Sequence, residues 1–334
     1  MRWFAEGDKL SAVHVNSLLK AQSGTGVGIG AEVVLNSGDY VDVHMGVAVR
    51  RMASMIESVP ASTYLLVGTR DATNPRRNLV IYDVSTGTTT TLDGTPDAIP
   101  ECPALADNND IVLAEIYLPA TGGGAMTIYD GRAFVPTIRC PTFFEEYENT
   151  DETNLWERRN STNPGTFTFN TNTVFKMVRY NGSGEWCAHL SRFAFPDSAI
   201  RYSMLWLRGY VKFHDNASNK YFGFWEDDAG EPYLAAGKAV FAWQSTNVWY
   251  LSYINGGSPV TTGGGSTDTN WHKFDLLFSS IANPQCALWV DNVYIGQHTS
   301  GPPTTFVKKI CSKDGTGSTG GISFQHLELL HSSF

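Results

Sequence analysis

Glu226, Asp228 and Glu231 are carboxylates close together in sequence, and a pair of carboxylates is what acid/base and nucleophilic work on a glycosidic bond requires. The residues between them argue for a different reading. Asp227, Ala229 and Gly230 are turn formers lying between two β-rich runs, so the stretch reads as a solvated hairpin turn whose acids keep ordinary pKa values. Eight histidines are scattered over the chain, but no Gly-x-Ser-x-Gly elbow accompanies them, and Gly182-Ser183-Gly184 sits in a turn context. His272 precedes a strand and has no second His or Cys at ligand spacing, so it reads as a strand-edge cap rather than a metal ligand. The five cysteines (Cys102, Cys140, Cys187, Cys286 and Cys311) are odd in number and form no Cys-x-x-Cys pattern. They read as reduced, small apolar residues of a chain made in a cytoplasm. Glycine-rich stretches at 24–30 and 256–265 lack the Lys-Ser/Thr of a phosphate loop and read as plain loops. No catalytic residue, metal or cofactor is expected, and the sequons at Asn160, Asn181 and Asn216 read as chance matches in an Asn/Ser/Thr-rich chain.

Binding chemistry is the stronger signal. Strand alternation over 201–213 assigns Leu205, Leu207, Val211 and Phe213 to a core, and Met204, Trp206, Arg208, Tyr210 and Lys212 to the opposite face. An exposed aromatic–basic stripe of that kind suits sugar stacking with hydrogen bonding, or a subunit contact. The same arithmetic puts Tyr250 and Ser252 opposite Trp249, Leu251 and Tyr253, and leaves Lys273 and Asp275 outside on 271–278. Should these strands be neighbours in one sheet, Trp206, Arg208, Tyr210, Tyr250, Lys273 and Asp275 would line one aromatic–polar groove. Burial of the same face against another subunit is the competing expectation.

The elements that must carry these residues are nearly all strands. An opening segment, 1–30, reads as one short helix capped by Asp8, with Leu10, Val13 and Leu18 at rough helical spacing and a glycine-rich exit. Residues 31–141 form a series of short β runs punctuated by turns such as Asn36-Ser37-Gly38-Asp39, a small antiparallel domain. Residues 142–334 supply eleven further strand-like runs and eight of the nine tryptophans, which points to a two-sheet sandwich or jelly roll. The 334 residues carry 24 Lys+Arg against 33 Asp+Glu, and the basic clusters are pairs such as Arg76-Arg77, which excludes a phosphate-neutralising nucleic-acid binder. No apolar run reaches the roughly 18 residues of a membrane span, and the first residues lack the apolar stretch of a secretory signal.

Two resemblances add to this reading. The run Trp271-His272-Lys273-Phe274-Asp275-Leu276-Leu277-Phe278, followed by Ala287-Leu288-Trp289-Val290-Asp291-Asn292-Val293-Tyr294-Ile295-Gly296, resembles the paired back-half strands of the concanavalin A-like and laminin-G-like sandwiches. Members of that family bind glycans or proteins, hydrolyse glycans, or build structure. Its hydrolases carry a Glu-x-Asp-x-x-Glu strand with apolar residues between the acids, which Asp227, Ala229 and Gly230 do not supply. The first 140 residues resemble the N-terminal module of bacteriophage tail-fibre and virion-appendage proteins. The matching motifs are Gly7-Asp8-Lys9-Leu10-Ser11-Ala12-Val13-His14-Val15-Asn16, Gly46-Val47-Ala48-Val49, Ile81-Tyr82-Asp83-Val84-Ser85-Thr86-Gly87 and Ile128-Tyr129-Asp130-Gly131-Arg132, in that order. The resemblance implies an all-β virion protein, a tail fibre, spike or adhesin that docks on capsid or tail proteins through Asp8, Leu10, Val13, Asn16 and Leu18. It further implies a homotrimer that presents a lectin-like domain to host-surface glycan. Capsid decoration without a receptor role, a glycan depolymerase and a secreted cellular glycan-binding protein are the alternatives.

Overall fold

The computed structural model describes residues 21, 25–50, 55–105, 107, 109–135, 143–145, 156–160, 166–170, 174–178, 187–191, 202–215, 220–226, 238–279, 284–303, 308–314 and 321–333. The chain divides into two compact units, Met1–Arg139 and Cys140–Phe334. Every element among the described residues is a β-strand. The expected opening helix lies outside the described residues, and with it Asp8, Leu10, Val13, Asn16 and Leu18. Among the described residues no helix is long and apolar enough to cross a membrane.

The first unit holds β1 (Gly26–Gly30), β2 (Val33–Ser37), β3 (Tyr40–Val43), β4 (Gly46–Arg50), β5 (Met55–Val59), β6 (Ser62–Leu66), β7 (Arg76–Asp83), β8 (Thr88–Leu92), β9 (Ile111–Leu118) and β10 (Thr127–Asp130). They form three antiparallel sheets, ordered β1-β4-β5, β2-β3-β6 and β10-β9-β7-β8. The glycine-rich start is therefore a strand and not the expected loop. Its glycines serve close approach, because a Cβ on Gly26 would lie 2.3 Å from the Ala133 carbonyl oxygen, and one on Gly46 2.3 Å from the Ala31 nitrogen. The core gathers Val27, Val41, Val43, Val80, Leu113, Ile116 and Leu118. β9 is buried on both faces, since Val112 joins Leu79 and Ile81 in a second cluster. Glu115, buried in that strand, is ion-paired with Arg77, which is how a carboxylate survives there.

The second unit holds β11 (Phe143–Glu145), β12 (Trp156–Asn160), β13 (Thr166–Asn170), β14 (Val174–Val178), β15 (Cys187–Ser191), β16 (Tyr202–Phe213), β17 (Lys220–Glu226) and β18 (Lys238–Ser245). It continues with β19 (Val248–Asn255), β20 (Val260–Ser266), β21 (Trp271–Ser279), β22 (Gln285–Val290), β23 (Val293–His298), β24 (Lys308–Asp314) and β25 (Ile322–Ser333). An eight-stranded sheet runs β13-β14-β25-β16-β21-β22-β23, with β11 on β25, and a seven-stranded sheet runs β12-β15-β24-β17-β18-β19-β20. Their inner faces share one core, in which Leu205, Leu207, Phe274, Leu276, Leu288 and Leu329 from the first sheet meet Phe222, Phe224, Val240, Trp249 and Leu251 from the second. This is the jelly-roll-type sandwich that alternation predicts. Cys286 is fully buried in it as a small apolar residue, and burial pushes its thiol well above the ordinary range. At one edge, Gly265 and Gly296 let the two sheets close, since a Cβ on Gly265 would meet Ile295 Cδ1 at 2.4 Å and one on Gly296 would meet Thr262 Cγ2 at 2.9 Å.

Candidate functional site

The outer face of the seven-stranded sheet is built from rings. On β17, Tyr221 and Trp225 point away from the shared core; on β18, Ala239, Phe241 and Trp243 do the same; on β19, Tyr250, Ser252 and Ile254. Pairing sets Tyr221, Trp243 and Tyr250 in one row across three strands. The rings stack along that row, Tyr221 on Trp243 at 5.7 Å and 22°, and Trp243 on Tyr250 at 4.5 Å and 24°. Trp225 and Phe241 stack beside them at 4.8 Å. Tyr221, Trp225 and Phe241 are buried, while Trp243 and Tyr250 are half-buried at the open end of the row.

Polar atoms on this face are few and ordered. The Trp243 Nε1–H donates to Ser252 Oγ at 2.8 Å, and the Ser252 and Thr261 hydroxyls are bonded at 2.7 Å, so the relay ends on an exposed threonine. The Trp225 indole N–H is buried and has no hydrogen-bond partner among the described residues. Beyond Tyr250 lies β20, the edge strand, whose Gly263-Gly264-Gly265 leaves the floor without side chains. A Cβ on Gly263 would sit 3.1 Å from Tyr250 Cδ1, whereas one on Gly264 would meet nothing within 4 Å. The glycine-rich stretch expected to be a loop is thus the strand beside the terminal ring.

The six residues expected to line one groove are divided between two sheets. Trp206, Arg208 and Tyr210 lie on β16 and Lys273 and Asp275 on its neighbour β21, in the eight-stranded sheet, while Tyr250 belongs to the other. The β16 stripe does face away from the core, but half of it is covered: Met204 is 0 % and Trp206 2 % accessible, Arg208 and Lys212 are half-buried, and Tyr210, at 42 %, is the exposed member. Alternation identifies a strand's two faces and cannot say that the outer one is wet. Nor does Asp275 stand outside, being 1 % accessible and accepting a 2.9 Å bond from Trp206 Nε1–H. Burial pushes its carboxyl above the usual range, against the pull of Lys273, of the Trp206 N–H and of Arg208. Two cations of this face are paired within it, Lys273 Nζ 3.2 Å from Asp275 Oδ2 and Arg208 Nε 2.5 Å from Glu328 Oε2. Arg208 also lies 5.0 Å over the Trp206 ring.

Two other expectations resolve structurally. His272 joins two turns, its Nδ1 2.7 Å from Asp291 Oδ2 and its Nε2 3.0 Å from Asp268 Oδ1. Asp291 and Asn292 close the β22–β23 hairpin, both at positive φ. Glu226 Oε2 accepts the Lys238 backbone N–H at 3.1 Å, closing β17 against β18, and the acids at 227, 228 and 231 lie outside the described residues. Tyr221, Trp225, Phe241 and Trp243 escaped the sequence reading, although Tyr221-x-x-x-Trp225 and Phe241-x-Trp243 carry the same period-2 signal that located Tyr250.

No family model and no curated protein matches the chain. Solved structures that are similar include the Emp46p carbohydrate recognition domain in its potassium-bound form, 11 % identical, covering 56 % of this chain and 94 % of that one with a TM-score of 0.43. A Bacillus licheniformis β-glucanase is 13 % identical over 57 % of this chain and 97 % of its own, with a TM-score of 0.41. A carbohydrate esterase from the Shiga toxin-encoding bacteriophage phi24B is 13 % identical over 58 % and 99 %, also with a TM-score of 0.41.

Proposed function

We propose that the protein is a non-catalytic glycan-binding protein of a bacteriophage virion, its jelly-roll unit holding sugar on the outer face of the seven-stranded sheet. The observation that carries the sugar-binding part is the Tyr221–Trp243–Tyr250 stack. It ends beside glycines and next to the hydroxyl relay of Trp243, Ser252 and Thr261. A pyranose offers an apolar face to a ring and hydroxyls to its rim, and a mostly apolar site with a few placed polar groups is what such a ligand needs. The ordered motifs between Gly7 and Arg132 support the virion part, with the first unit as the docking module and a homotrimer as the assembly.

A glycan array probed with the whole chain tests the first part. Tyr250→Ala, which removes a half-buried ring and leaves the buried stack in place, is expected to weaken the best ligand by about tenfold, ~1.4 kcal/mol. A blank array with the wild-type protein would remove the reading. Antibody labelling of intact particles tests the second part: label at the tail in a few dozen copies fits an adhesin, hundreds of copies over the shell fit decoration, and particles without label refute both.

A further inference from the structure

The ring row has a direction and an end. Centroids 5.7 and 4.5 Å apart, with planes within 24° of parallel, are too close for rings lying side by side in one plane. Tyr221, Trp243 and Tyr250 therefore stand on edge and turn their faces to one another. Tyr250 has one face on Trp243 and aims the other across β20, where it meets no further ring among the described residues. The next position of the row, one strand spacing of about 4.8 Å further on, is Gly263. A side chain there would fill the space in front of the ring, since its Cβ would already stand 3.1 Å from Tyr250 Cδ1. Glycine instead leaves an exposed slot one ring thick, with Gly264 open beside it.

The polar rim of this slot is oriented. Trp243 Nε1–H donates to Ser252 Oγ at 2.8 Å, and Ser252 is fully buried. The acceptor left to the Ser252 O–H among the described residues is Thr261 Oγ1, at 2.7 Å. Thr261 thus accepts, and its own proton is directed outward from an exposed residue two positions from Gly263 on the same face. Bonds that run in one direction strengthen the last donor of the chain. Charge is absent from this stretch: from Ala239 to Thr267, which takes in most of β18 and all of β19 and β20, the sequence has no Asp, Glu, Lys, Arg or His.

We infer that the slot over Gly263 takes one neutral pyranose as the fourth layer of the stack, its C–H face on Tyr250 and one of its oxygens accepting from the Thr261 O–H. The inference rests on the sugar-binding reading above and names the class of sugar. Contact with the ring requires a face free of axial hydroxyls, and a carboxylated or sulfated sugar would lose water there without gaining a counter-charge. Two positions then set specificity, Thr261 through its outward proton and Gly263 through its missing side chain.

The test titrates the whole protein calorimetrically with cellotetraose and β-linked galactotetraose, each beside the form oxidised at its primary hydroxyls to the uronic acid. A neutral form is expected to bind about tenfold tighter than its acid, with little dependence on salt. Thr261→Val, which keeps the shape and loses the proton, should weaken it about fivefold, and Thr261→Ser should restore it. In the spectrum of glycine-labelled protein the sugar should shift the amide signals of Gly263 and Gly264, the latter recognised by its loss in Gly264→Ala, whose Cβ meets nothing within 4 Å. Gly263→Ala is the poorer probe, because its Cβ would also lie 2.4 Å from the Trp249 carbonyl oxygen. Acids that bind as tightly as the neutral forms, a Thr261→Val protein of unchanged affinity, or glycine signals that stay in place each overturn the assignment and leave the sugar-binding reading standing. Failure of both neutral tetrasaccharides to bind overturns it as well, while the sugar-binding reading falls only if the glycan array is also blank.

Discussion

Asp275 shows how one buried side chain couples packing to pH. Its carboxyl is raised chiefly by loss of water, with Lys273 and the Trp206 N–H opposing. A carboxyl whose folded value is raised holds its proton more tightly in the folded state. Its contribution to stability is then fully present below the unfolded value of ~3.9 and is lost as pH rises through the folded value. Asp275→Asn keeps an acceptor for Trp206 and has no proton to lose, so urea unfolding between pH 3.5 and 8 should show a flatter decline than in the wild type; an equally steep one would refute this role. Tyr64 makes a separate case at the same scale. It is 65 % exposed with φ of 55°, a region a bulky side chain enters at a cost, and its N–H is held by Asp42 Oδ1 at 2.9 Å. Tyr64→Asn should raise stability by about 0.5–1 kcal/mol, because asparagine tolerates that backbone and keeps the bond.

Between β17 and β18 the elements approach closely at Gly223, which lies on the ring face between Tyr221 and Trp225. A Cβ there would meet the Val240 carbonyl oxygen at 2.5 Å and Phe241 Cα at 2.6 Å, both backbone atoms that cannot swing aside. Gly223→Ala should therefore cost about 2 kcal/mol and diminish the near-ultraviolet dichroism of the stacked rings. Full retention of both would show that the two strands can part without disturbing the stack. The elements were largely legible before the structure, because β16, β19 and β21 each alternate cleanly, and Leu205, Leu207, Trp249, Leu251 and Phe274 fall in the core as their spacing requires. The glycine-rich strands β1 and β20 were not, since glycine carries no hydrophobic period and its value lies in contacts with partners distant in sequence.

At the scale of the molecule, the division into Met1–Arg139 and Cys140–Phe334, each with its own buried core, predicts that the two pieces expressed separately will each melt cooperatively. A second piece without a sigmoidal transition would contradict this independence. Local alternation alone determined that the chain is a β protein, that its C-terminal part is a two-sheet sandwich rich in rings, and which residues face inward, because side-chain direction in a strand has a period of two. What it could not determine is which strands become neighbours. That decision belongs to long-range pairing: it placed Trp206 and Tyr250 in different sheets, buried Asp275 beneath its own outward face, and brought Tyr221, Trp243 and Tyr250 into one row. Pairing depends on the packing of two whole sheets around one core, a sum over many distant residues that no local window contains.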